Sequence, residues 1–207
     1  MITAHHIIYN LTLLDGGEKY GESVSKDEKR SRNSKTWAIA LGAFFPDSFT
    51  FVFFLIYGVL FSMPHEKLWD DMYFNSGWNI IFNLAHSLWL LPLLTFLFFL
   101  WERRNVMYFF LSATTHAMMD FFVHADDAYA HFYPFSSYKF HSPISYYDPH
   151  FYGNYVSIAT HVMAIIFFFI LQKRFKKRGH EIATYIFLAG GVLEIIAVIV
   201  FSIMLIR

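Results

Sequence analysis

The stretch WAIALGAFFPDSFTFVFFLIYGVLF, residues 37–61, holds a single charged side chain, Asp47. It is longer than the roughly 20 apolar residues that a helix needs to cross a bilayer. Working outward, residues 78–101, 155–171 and 182–206 read as similar spans, and residues 106–123 read as a shorter and more polar one. Ser112, Thr114, Thr115, His116 and Asp120 make that fifth stretch one that neighbouring helices must shield from lipid. The expectation is a single all-α domain over residues 1–207, a polytopic membrane helix bundle of five transmembrane helices.

Composition agrees. Of the 207 residues 56% are hydrophobic and 15% charged, against roughly 25% charged in soluble domains. Lys plus Arg equals Asp plus Glu at 16 each, so net charge gives no reason to expect nucleic acid. The basic residues are nevertheless unevenly placed. All except Lys67, Lys139 and Arg207 precede the first span, follow the second or follow the fourth. The positive-inside rule then sets the N-terminus on the cytoplasmic side and the C-terminus outside.

Residues 1–14 lack the basic leader and small-residue cleavage pattern of a signal peptide, and they are too short to span. They read as an interfacial or re-entrant helix ended by Gly16 and Gly17. The polar run 18–35 reads as a solvated loop. With no cysteine, thiolate ligands and thiolate catalysis are excluded, which leaves histidine and carboxylate as the reactive groups.

Several such groups lie where they are costly. Asp47, His86, His116, Asp120, His161 and Glu194 all fall inside apolar stretches. Ionisable groups there cost about 2.5 kcal/mol or more each near the bilayer centre and tend to be paired and functional. At 1.5 Å per residue, Asp47, His86 and His116 all reach roughly 12–16 Å depth, so three helices bring polar groups to one level. His116 and Asp120 are four residues apart and share a helical face, the spacing by which one helix offers two ligands to one ion. Two imidazoles and two carboxylates form a nitrogen and oxygen donor set suited to zinc, manganese or iron rather than copper(I). Pro46, with Gly42 one turn earlier, predicts a kink or break in the first helix beside Asp47.

Each residue also has a plainer reading. A lone membrane histidine such as His161 is more often hydrogen-bonded to a neighbouring helix than ligated, Glu194 can be a protonated structural acid, and His5 or His6 can sit among head groups. The loop 124–154, with His124, His131, His141, His150 and many aromatic residues, is either a lid or an interfacial aromatic belt.

The order of motifs, Thr3-Ala4-His5, Leu41-Gly42-Ala43-Phe44-Phe45-Pro46-Asp47, Ala85-His86-Ser87, His116-Ala117-Met118-Met119-Asp120 and Tyr133-Pro134-Phe135-Ser136, resembles the YdjM-like family of membrane-bound, predicted metal-dependent hydrolases. The resemblance covers roughly the first two thirds of the chain. That family is in turn distantly similar to the zinc-dependent phospholipases C, whose pattern matches Asp47, His86, His116 and Asp120. By that likeness the helical Asp120 bridges to a second zinc held by an early histidine, His5 with His6 as fallback. A His-x-x-x-Glu for a third ion is missing after Asp120, and His124, His131 or Glu194 are the substitutes.

The resemblance implies a hydrolase of the cytoplasmic (inner) membrane that uses one or two divalent ions, most suitably zinc. Its substrate would be an ester or phosphoester of a membrane lipid or lipid-linked molecule, with Asp47 or Asp120 taking the water's proton. Two other readings of the intramembrane Asp, His and Glu groups are an ion- or proton-coupled transporter and a scaffold held by interhelical hydrogen bonds.

Overall fold

A computed structural model describes residues 2–16, 25–64 and 66–177. Among them the chain is all-α, with seven α-helices and no strand: α1 (Thr3–Leu14), α2 (Lys26–Phe53), α3 (Tyr73–Asn75), α4 (Trp78–Ala85), α5 (Leu90–Leu100), α6 (Arg104–Phe121) and α7 (Gly153–Lys177). Two π-helical segments, Phe54–Leu60 and Lys67–Met72, and a 3₁₀ turn, Pro149–Phe151, complete it. The expected span 182–206, with Glu194, lies outside the described residues.

Two helical stretches are long and apolar enough to cross a membrane, Lys26–Leu60 and Gly153–Phe175. A third counts if Trp78–Ala85 and Leu90–Leu100, bent by 51° at their junction, are one broken span. The chain is thus a candidate membrane protein. α6 is not among these helices, in keeping with the polar residues on it.

Three expectations about the helices need correction. The polar run before the first span is not all loop, because α2 already begins at Lys26. There Ser25 Oγ accepts from the Glu28 N–H, Asp27 and Glu28 occupy the first turn, and Glu28 pairs with Arg32 one turn on. Together these cap the free N–H groups and oppose the helix dipole. Pro46 does not break α2, which is helical from end to end. The interruption falls instead between α4 and α5, at residues 86–89. Ser87 Oγ accepts there from the N–H groups of Trp89 (3.3 Å) and Leu90 (3.1 Å), so it caps a new helix start.

Gly42 explains how α2 meets α6. A Cβ at this position would lie 2.1 Å from the Phe109 carbonyl oxygen, so only glycine lets the two backbones approach this closely. The α2 and α6 pair is the most extensive helix contact in the fold, followed by α5 with α6.

The N-terminal helix, expected to be interfacial or re-entrant, packs as a core element among the described helices. Ile8, Tyr9 and Leu11 are buried with Ile39 of α2 and Ala164, Leu171 and Phe175 of α7. Asn10 fixes its register. Its Nδ2 donates to the Ser112 carbonyl (2.8 Å) and Oγ (2.9 Å), and its Oδ1 accepts from Thr115 Oγ1 (2.9 Å). Asn10→Ala strands these buried groups and is expected to cost about 1–3 kcal/mol. Thermal unfolding of the purified protein measures it, and an unchanged midpoint would show that α1 does not depend on this network.

Candidate metal centre

Three elements converge on one point. Asp47 comes from α2, His86 from the end of α4, and His116 and Asp120 from successive turns of α6. Each offers one ligand atom, and those atoms all lie within 4.8 Å of one another. His116 Nε2 is 3.0 Å from Asp120 Oδ2 and 3.5 Å from Asp47 Oδ1. His86 Nε2 is 3.6 Å and 3.8 Å from the same two oxygens.

The orientation of the rings is as informative as the distances. His116 Nδ1 donates to the Ala43 carbonyl at 2.6 Å, and His86 Nδ1 to the Phe82 carbonyl at 2.9 Å. These bonds place the proton on Nδ1 and turn the Nε2 lone pair of both rings inward, the arrangement found behind metal-ligating histidines. Both Nε2 atoms are buried and make no hydrogen bond. A buried polar atom left so is expensive unless something absent from the protein atoms satisfies it. Ligands about 2.0–2.1 Å from a tetrahedral zinc sit roughly 3.3 Å apart, and the four spacings fall around that value. The group therefore fits a divalent metal ion on both donor chemistry and geometry.

A second set faces the other oxygen of Asp120. His6 Nε2 lies 3.0 Å and His124 Nε2 3.3 Å from Asp120 Oδ1. His124 Nδ1 contacts Asp127 Oδ2 at 2.7 Å, so its Nε2 is also aimed by a bond on the far side of the ring. Asp120 thus presents one oxygen to His86 and His116 and the other to His6 and His124.

The early histidine at Asp120 is His6, not His5, and helix phase is the reason. His6 and Asn10 are one turn apart and share the face that Asn10 ties to α6, where the His6 ring stacks on His116 at 3.6 Å. His5 shares another face, about 100° round the helix, with Tyr9. It meets His161 edge-on at 4.5 Å, while Tyr9 hydroxyl donates to the Thr160 carbonyl of α7. His161 Nδ1 bonds the Ser157 carbonyl of its own helix at 2.7 Å. His5 and His161 therefore stand together but apart from the Asp120 group.

The loop after α6 closes over the centre. Leu88 N–H donates to the His131 carbonyl (2.7 Å) and Ser87 Oγ to the Tyr133 carbonyl (2.6 Å), which staples the loop to the α4–α5 break. The Ala130 N–H donates to Asn83 Oδ1 at 2.9 Å. Tyr129 stacks flat on His86 at 3.8 Å, and its hydroxyl meets that of Tyr73 at 2.7 Å. Burial pushes the Tyr129 phenol well above its ordinary pKa, so it stays protonated. His131, edge-on to His86 at 6.5 Å, is held down to about 4 mainly by burial against the opposing pull of Asp120, which leaves it neutral. Phe135, Tyr138 and Tyr152 of the same loop are exposed. One part of the loop thus covers the centre, and another presents aromatic side chains at the surface.

Sequence reasoning missed Thr3, whose Oγ1 donates to Asp47 Oδ2 at 2.6 Å, and Asp127 behind His124. Neither had a signal beyond its place beside a candidate ligand. Compared with protein-family models, curated proteins and solved structures, the chain matches none.

Proposed function

We propose that this protein is a membrane-embedded, metal-dependent hydrolase of an ester or phosphoester, as its motif likeness to the YdjM-like family suggests. The supporting observation is the convergence of the His86 and His116 Nε2 lone pairs, each ring locked by its Nδ1 bond, onto Asp47 and Asp120 Oδ2. A structural polar network would pair these two buried nitrogens with donors, and none is provided among the described residues.

In this reading Asp47, His86, His116 and Asp120 Oδ2 hold one ion, and Asp120 Oδ1, His6 and His124 contribute to a second. Zinc suits the donors best. Such an ion, when bound, supplies a water of lowered pKa and positive charge against the substrate oxygen. The protein's own groups do the rest. The Ala43 and Phe82 carbonyls fix the imidazole tautomers, Thr3 orients Asp47, and the loop with Tyr129 and His131 keeps bulk water off. Asp47, the only one of the four with an exposed edge, is placed to accept a proton.

The test is elemental analysis of detergent-purified protein, together with chelator-sensitive cleavage of a phosphoester. His116→Ala is expected to lose bound metal and activity while still entering the membrane fraction. Full metal content in that variant would end the assignment. The carrier reading drew on the intramembrane Asp, His and Glu groups together, of which Glu194 lies outside the described residues.

A further inference from the structure

Three sides of the centre are closed. α1 covers one with His6 and Asn10, the loop covers another with Tyr129 and His131, and α6 forms the floor. The side chains of His86, His116 and Asp120 are 0–2% exposed, whereas that of Asp47 is 15% exposed. Among the described residues, then, the four-ligand group reaches the surface at Asp47.

What surrounds that edge is apolar. Phe44 and Phe51 flank Asp47 one turn to either side along α2, their rings 5.7 Å apart and both exposed. Asp47 itself lies ten residues into the stretch 37–61, about 15 Å from its start and so near the middle of a hydrocarbon layer roughly 30 Å thick. An opening at that depth, rimmed by phenyl rings, meets acyl chains rather than water.

We infer that the centre opens sideways into the bilayer at Asp47, beside the stacked rings of Phe44 and Phe51, and takes a membrane lipid whose ester or phosphoester linkage comes to Asp47 while its chains stay in the hydrocarbon. A water-soluble ester of the same head group has no route in. The substrate half rests on the hydrolase reading; the direction of the opening does not.

A matched pair of chelators separates the two halves in holoprotein reconstituted into phosphatidylcholine vesicles. Uncharged phenanthroline dissolves in the bilayer, and its sulfonated derivative does not. The uncharged form is expected to strip the metal about tenfold faster or more, since charge is excluded from the hydrocarbon. The chain has no cysteine, so Phe51→Cys gives a unique thiol at the mouth. A bulky maleimide there should slow stripping about tenfold, while the same adduct on Phe99→Cys, exposed on α5, changes nothing. If Phe51→Cys loses its metal before labelling, Phe44→Cys takes its place.

Equal stripping by both chelators, or indifference to adducts at the mouth, would overturn the sideways opening. Cleavage is then compared between a long-chain phosphatidyl lipid in the vesicles and its soluble glycerophosphodiester. Cleavage of the lipid alone supports the substrate class, and cleavage of the soluble ester at an equal rate overturns it. A chelator result as expected with neither ester cleaved would keep the opening and reject the hydrolase.

Discussion

Asp120→Asn is expected to empty the centre, because one carboxylate serves both halves of it. Its Oδ2 faces His86 and His116 and its Oδ1 faces His6 and His124, so a single substitution removes negative charge from four imidazoles at once. The loss in metal affinity should exceed the roughly 10–100-fold that outer partners of metal ligands carry. Folding should survive, since an amide of the same size can donate to an Nε2 atom that now lacks a partner. The clearest readout is thermal: wild-type protein is expected to gain stability with added zinc through mass action, and the variant is not. By contrast, His6→Ala should lower the metal content without abolishing it. A variant at position 120 that still melts later with zinc would show that the ion, if bound, is held elsewhere.

The second large effect is expected at Gly42, which touches no ligand. A valine side chain there would drive into the Phe109 backbone, which cannot rotate away as a side chain would. Overpacking of this kind costs typically 1–3 kcal/mol and occasionally more, and a backbone clash belongs at the upper end, about 3 kcal/mol. The damage is also aimed at the centre. α2 carries Asp47 and the Ala43 carbonyl that holds His116, while α6 carries His116 and Asp120. Gly42→Val should therefore lower both the unfolding temperature and the metal content, whereas Gly42→Ala should do so less. Unaltered metal content in a clearly destabilised valine variant would mean that the α2–α6 spacing does not govern the ligands.

Much of this was legible in the residues. Asp47 and the His116–Asp120 pair stood out because charge inside an apolar run is costly, and a four-residue spacing fixes a shared face without any tertiary information. The all-α class followed from the same long runs. What the sequence hid was decided by packing. Adjacent histidines at positions 5 and 6 differ by about 100° around a helix, and only the bond network of Asn10 with α6 selects which one turns to Asp120. Pro46 looked like a breaker, yet α2 carries it unbroken in its tight seat against α6. The real break, at His86, did leave a mark in Ser87, a good N-cap residue just before Leu90-Leu91-Pro92. Apolar composition on both sides concealed it.

That break has a mechanical consequence. Leu88 and Ser87 sit immediately beyond a ligand, and both are tied to the segment carrying Tyr129, His131 and Tyr133. The covering loop therefore cannot lift as a free flap, since raising it pulls on the hinge that aims His86. On the proposed reading, uncovering the centre and loosening its grip on a cation would be one motion, so a protein built this way would gain by admitting its reactant through a gap in the wall and leaving the roof shut.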